Sequence, residues 1–281
     1  MSDVRPTVSV VVIANGRPPR LEQWLTAVLP QRPAEVIVAD GSPTGWARTI
    51  VDAASARLAS EAMIVGGHGP VSPAAPARLE HLHRPGVALE VLREAAVGAS
   101  TGDLVIVTEA RMQPSPDWCQ RFVDAHTREP HAAVIGGPVA AGAGLDAVAG
   151  GIYLCEYAAF APKVDGASVR STGGSPATAV SAANVSYART ALTRVPDPFR
   201  WDAMFHHQAT VPTLRLCDAV VTFAGDYSAS EAIAMRMHYA RAYAARRGLS
   251  RMRRLVYTAG AIVLPLVLVT RVARSAAAAP A

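Results

Sequence analysis

"TVSVVVIANGRPPRLEQWLTAVLPQRPAEVIVAD", residues 7–40, carries two apolar runs separated by one amphipathic stretch. The first run, Thr7 to Ala14, is almost continuously β-branched, the pattern of a strand buried on both faces of a parallel sheet. Leu21, Trp24, Leu25, Val28 and Leu29 then recur at helical spacing. The second run, "EVIVAD" at 35–40, closes on an acid, and the turn "GSPTG" follows. Strand, helix and strand from the first residues predict an α/β chain with a mostly parallel sheet flanked by helices.

The pattern continues outward. Trp46, Ile50, Val51, Ala54 and Leu58 define another helix face. Residues 64–82 are rich in Gly, Pro and Ala and read as a loop leading to a short strand. "GVALEVLREAAVGAST" resumes as a helix and "DLVIVTE" as the next strand. Ser115 before Pro116 predicts an N-cap with proline at the first helical position, and Trp118, Phe122 and Val123 line that helix. "HAAVIGGPV" reads as one further strand with a glycine break, after which "AAGAGLDAVAGG" and "DGASVRSTGGSPATAVSAAN" loosen into loops.

At 281 residues, 51% hydrophobic and 17% charged, the chain has ample material for a core. Net charge is +5, unevenly spread. No Asp or Glu follows Glu231, whereas Arg236, Arg241, Arg246, Arg247, Arg251, Arg253, Arg254, Arg271 and Arg274 do. Such a tail suits an anionic lipid surface, and no zinc-finger or RNA-binding motif points to nucleic acid. Cys119, Cys155 and Cys217 show no C-x-x-C spacing and read as small buried thiols in a reducing compartment. The N-terminus has an early acid and a strand-like run rather than a signal peptide, so a cytoplasmic location is expected.

Three stretches, in this order, resemble family-2 glycosyltransferases of the GT-A fold: "VSVVVIANGRPPRLEQWLTAVLPQ…EVIVADGS", "LREAAVGASTGDLVIVTEARMQPSPDWCQRFVDAH" and "NVSYARTAL…FRWDAMFHH". The resemblance runs over roughly residues 6–245. "LCEYAAF" followed by "NVSY" is similar to a bacterial subgroup serving envelope or secondary-metabolite glycans. The resemblance implies an inverting, hexosyltransferase-type enzyme that takes a nucleotide-sugar donor and a glycan, lipid or small-molecule acceptor. It divides residues 1–245 into a nucleotide-binding half (1–128) and an acceptor-side half (129–245), followed by a basic, hydrophobic segment at 246–281.

The implied donor contacts fall on Ala14 and Asn15 after the first strand, Asp40 after the second, Arg93, Glu109, Arg111 and Asn184. A carboxylate at a strand's C-terminal end can accept from a base N–H or ribose hydroxyls. Asp40 alone can equally be a turn-forming residue before Gly41. The family's two adjacent acids are here Asp40-Gly41-Ser42. Arg93 matches the arginine opening the family's R-N-x-G segment, although Glu94 and Ala96 replace its Asn and Gly; on a helix it can also be a solvated residue. Asn184 is expected in an acceptor-side loop, shaping the sugar pocket or capping a turn. Asp202, between Trp201 and Phe205, falls where the family places its catalytic base, and a helix-start Asp is the plainer alternative. His206 and His207 make no i, i+4 metal pair.

The family's Asp-x-Asp, which binds a divalent cation (Mg²⁺ or Mn²⁺), reads Glu109-Ala110-Arg111 here. Its usual late histidine falls at Thr222 or Phe223 in "CDAVVTFAGD". One carboxylate beside a guanidinium is a poor cation site. Arg111 is therefore read either as a substitute for the metal or as a surface partner of Glu109. Two rivals follow: a GT-A domain that only binds nucleotide-sugar or scaffolds a complex, and a nucleotidyltransferase, for which "ANGRPPRLE" supplies a weak phosphate loop.

Residues 255–270, "LVYTAGAIVLPLVLVT", are uncharged between Arg254 and Arg271. As a helix they span roughly 24 Å at ~1.5 Å per residue, short of a ~30 Å hydrocarbon core, and Pro265 interrupts them. An interfacial or re-entrant helix, peripheral or anchored at the inner membrane face, is expected. Packing of this helix on the domain or on a second copy is the alternative.

Overall fold

Val8–Ile13 forms β1, every residue buried, because a β-branched run with no polar face has to be covered on both sides. In the computed structural model the described residues are 5–14, 18–65, 78–162, 175–176, 180–192, 214–225, 228–234, 250–261 and 269–270. Helix α1 (Pro18–Val28) follows β1, and Leu21, Trp24, Leu25 and Val28 sink completely into the core. Each such side chain contributes about 1.5–3 kcal/mol of hydrophobic stabilisation. Next come β2 (Glu35–Asp40), α2 (Ala47–Val65), β3 (Arg78–His83), α3 (Leu89–Ala99) and β4 (Leu104–Glu109). These match the expected strand–helix alternation.

The chain continues through β5 (Met112–Pro114), α4 (Trp118–Arg128), β6 (Val134–Gly136), β7 (Val139–Ala141) and α5 (Ala147–Glu156). Then follow β8 (Ser175–Pro176), β9 (Asn184–Ala188), α6 (Arg189–Leu192), β10 (Leu214–Leu216) and β11 (Val221–Phe223), and finally a helix at Arg251–Ala261. Eight strands make one sheet in the order β3-β2-β1-β4-β9-β6-β10-β8, and β5-β11-β7 make a second. Strands β3, β2, β1 and β4 are parallel, while β9 runs antiparallel to both β4 and β6.

One face of the large sheet, with Val10, Val12, Val36, Val38 and Ile106, packs against α1, α2 and α4. The other, with Val11, Ile13, Ile37, Val105 and Val107, packs against α3. At the N-terminal end of the strands, buried Glu35 accepts from Ser9 Oγ at 2.5 Å, Thr101 Oγ1 at 3.0 Å and Arg78 Nη1 at 2.8 Å.

Three local expectations are corrected. Helix α4 begins at Trp118, not at Pro116. Ser115 donates its backbone N–H to Val220 O at 3.1 Å, so it still belongs to the strand pairing of β5 with β11. "HAAVIGGPV" is two strands in two different sheets, with the chain crossing between them at Gly137-Pro138. A Cβ on Gly137 would stand 2.0 Å from Ala219 O, so only glycine fits that crossing. The glycine-rich stretch after 140 contains α5, nucleated where Asp146 accepts from Ala149 N at 2.8 Å as its N-cap.

Candidate functional site

Three adjacent parallel strands bring Ala14, Asp40 and Glu109 to one edge. Ile13 is in register with Ala39 on one side and Glu109 on the other, and Ala14 N donates to Ala39 O at 2.8 Å. This C-terminal edge is where open α/β sheets take their ligands. The two acids share the edge but not the face: Asp40 turns toward α2, and Glu109 toward α3.

Asp40 is fully buried. Its carboxylate accepts from Ser42 N at 2.8 Å and Ala47 N at 3.2 Å, tying the turn after β2 to the first residue of α2. His81 Nε2 on β3 lies 3.4 Å from the same carboxylate. Burial alone would raise the Asp40 pKa, but the bonds from Ser42, Ala47 and His81 outweigh it and hold it below the usual carboxylate range. His83 Nε2 sits 2.8 Å from Ser42 O, and its ring stacks on His81 at 5.8 Å. The turn reading of Asp40 therefore describes its contacts. Both histidines escaped the sequence reading; their alternation in "LEHLH" on an edge strand was the signal.

Glu109 is 2% exposed and lies between two buried guanidinium groups. Arg93 Nη2 reaches Oε1 at 2.8 Å from α3, and Arg111 Nη2 reaches Oε2 at 2.5 Å from the turn between β4 and β5. The solvated reading of Arg93 and the surface-pair reading of Glu109 with Arg111 are both overturned, since all three side chains are at most 4% exposed. The helical phase of α3 is responsible: Arg93 shares its buried face with Leu92, Ala96 and Val97.

Asn184 opens β9, opposite Thr108 of β4, rather than lying in a loop. Its Oδ1 accepts from Trp118 Nε1 at 2.9 Å, and its Nδ2 donates to Pro138 O at 2.9 Å and Ala219 O at 2.7 Å. The side chain thus joins α4, the crossing between sheets and the approach to β11. Asn15 and Asp202 lie outside the described residues, as do His206 and His207. Among the described residues no three His, Cys, Asp or Glu gather as a metal cluster. The three cysteines are free thiols; Cys119 is buried, which pushes its pKa up to about 12, and Cys155 and Cys217 are half-buried.

The sequence model of glycosyl transferase family 2 matches residues 9–150, half of the chain. The chain belongs to glycosyl transferase family 2. The family 2 match takes in Ala14, Asp40, Arg93, Glu109 and Arg111 and ends before Asn184 and Asp202. Among solved structures, this family 2 chain is similar to TarS from S. aureus, with 11% identity and a TM-score of 0.52. That similarity covers 77% of this chain but only 60% of the TarS chain. It is also similar to the mannosyltransferase PcManGT from Pyrobaculum calidifontis, solved with GDP-Man and Mn²⁺. There the identity is 15% and the TM-score 0.51, covering 98% of this chain and 85% of the other. At these identities the likeness is one of fold, the GT-A fold. No curated protein matches by sequence.

Proposed function

We propose that this family 2 protein transfers a hexose, with inversion, from a nucleoside-diphosphate sugar to a hydroxyl of a glycan, lipid-linked or small-molecule acceptor. The observation that carries this reading is the convergence of Ala14, Asp40 and Glu109 at the C-terminal ends of three adjacent parallel strands. In the step proposed, the acceptor oxygen attacks the anomeric carbon as the bond from that carbon to the donor phosphate oxygen breaks. The electron pair leaves on the nucleoside diphosphate, and the acceptor proton passes to Asp202 as general base. The Asp202 assignment rests on the "FRWDAMFHH" resemblance.

The C-terminal helix supports a membrane-associated role. Met252, Leu255 and Val256 are 71%, 67% and 63% exposed, and at i, i+3 and i+4 they share one face. Exposed Arg251 and Arg253 flank that face. An apolar stripe bordered by arginines fits the interface of an anionic bilayer. No helix among the described residues is long and apolar enough to cross a membrane.

Glu109 saturated by two arginines favours one further reading, a non-catalytic module that binds nucleotide-sugar. Incubation with UDP-, GDP- and dTDP-hexoses and a panel of lipid and sugar acceptors separates the two. Release of nucleoside diphosphate with formation of glycoside supports the enzyme, whereas tight donor binding without either product supports the module.

A further inference from the structure

The family 2 resemblance brings a divalent cation with it, and the side chains present decide whether one fits. Strand β11 pairs with β5 so that Phe223 is opposite Met112, and Ala224 N donates to Arg111 O at 2.9 Å. The two chain positions expected to share a metal, 109–111 and 222–223, are therefore adjacent in space. The first offers Glu109, with each carboxylate oxygen already in an ion pair, and Arg111. The second offers Thr222 and Phe223, and the buried Phe223 ring packs against Tyr157 at 5.1 Å and Tyr153 at 6.2 Å. Mg²⁺ and Mn²⁺ take several oxygen ligands. A cation approaching Glu109 would have to displace a guanidinium and then lie beside two fixed positive charges. These residues do not fit a divalent cation.

We infer that donor binding by this chain is independent of divalent metal, the buried Arg93–Glu109–Arg111 triad standing where the cation would be. The inference rests on the donor reading above. Glu109 then serves as the positioning residue, clamping one arginine from α3 and one from the β4–β5 turn. A guanidinium keeps its charge at any physiological pH, so both positive charges stay beside Glu109 and oppose a cation there. The Nε of Arg93 is buried with no hydrogen-bond partner among the described residues, which leaves a donor at this corner still to be satisfied.

Calorimetric titration of the full chain with UDP, GDP and dTDP, once with excess EDTA and once with millimolar Mn²⁺, tests this. The expected result is a nucleotide whose Kd in EDTA lies within about threefold of that in Mn²⁺. Mn²⁺ alone, followed by electron paramagnetic resonance, should stay free when the protein is added. Nucleotide binding tightened about tenfold or more by Mn²⁺ overturns the inference and leaves the donor reading standing. No binding of any nucleotide in either condition overturns both. The wild-type titrations decide the metal question without any variant having to fold.

Discussion

Asn184 commits its whole amide to the protein, with the carbonyl oxygen taken by Trp118 and the NH₂ by two backbone carbonyls. In Asn184→Ala the Trp118 indole N–H and Ala219 O lose their partner, while Pro138 O keeps the N–H of Val221 at 3.2 Å; each group left unsatisfied costs about 1–3 kcal/mol. Urea denaturation should show a loss of about 2 kcal/mol or more, and a loss below about 1 kcal/mol would remove the structural assignment. His126 is the second residue with a measurable consequence. It is buried on α4 with Nε2 3.1 Å from Ser186 Oγ, and burial holds its imidazole at about 4. The unfolded chain titrates near 6.5, so below that pH the unfolded state binds a proton the folded state refuses. The contribution of neutral His126 is complete above pH 6.5 and is lost as pH falls toward 4. It amounts to on the order of 3 kcal/mol over that window. His126→Gln should flatten the pH dependence of stability between 6.5 and 4; an unchanged slope would assign it to other groups.

At the scale of elements, the strands and amphipathic helices of the first half are legible because one period runs through each of them. Where the period is weak, reading along the chain fails. Helix α5 hides in "LDAVAGGIYLCE", whose two glycines look like loop residues, and only the Asp146 cap betrays it. The start of α4 is displaced because Ser115 is already engaged by Val220, a residue more than a hundred positions away. The helix Arg251–Ala261 carries a prediction of its own. The full chain should float with vesicles containing phosphatidylglycerol, less so as salt is raised, and not with neutral phosphatidylcholine. Replacing both Leu255 and Val256 by Glu should abolish flotation. Equal binding to neutral vesicles would remove the arginines from the contact, and flotation that survives the double substitution would remove the apolar stripe from it.

Across the whole molecule, the sheet separates two kinds of polar network. At the N-terminal ends of its strands Glu35 ties β1, β2, β3 and the turn after α3 together. At the C-terminal ends Asp40 and Glu109 order the edge assigned to the donor, on opposite faces. If Asp202 is the base acting across that edge, Asp202→Asn should lower kcat about 100-fold or more while leaving the Kd for donor nucleotide unchanged. A variant retaining full turnover would transfer that role to another residue.

The α/β class, the places of β1, β2 and β4 and the family are legible along the chain, because each depends on patterns within a few dozen residues. The chemical standing of the polar residues was decided only by the tertiary structure. Glu109 reads as half of a metal motif until α3 delivers Arg93 to one oxygen and the β4–β5 turn delivers Arg111 to the other. Asn184 reads as a pocket residue until the two sheets close around its amide. Whether a buried polar group binds a ligand or the protein depends on which partners desolvate it, and those partners are brought together only by folding.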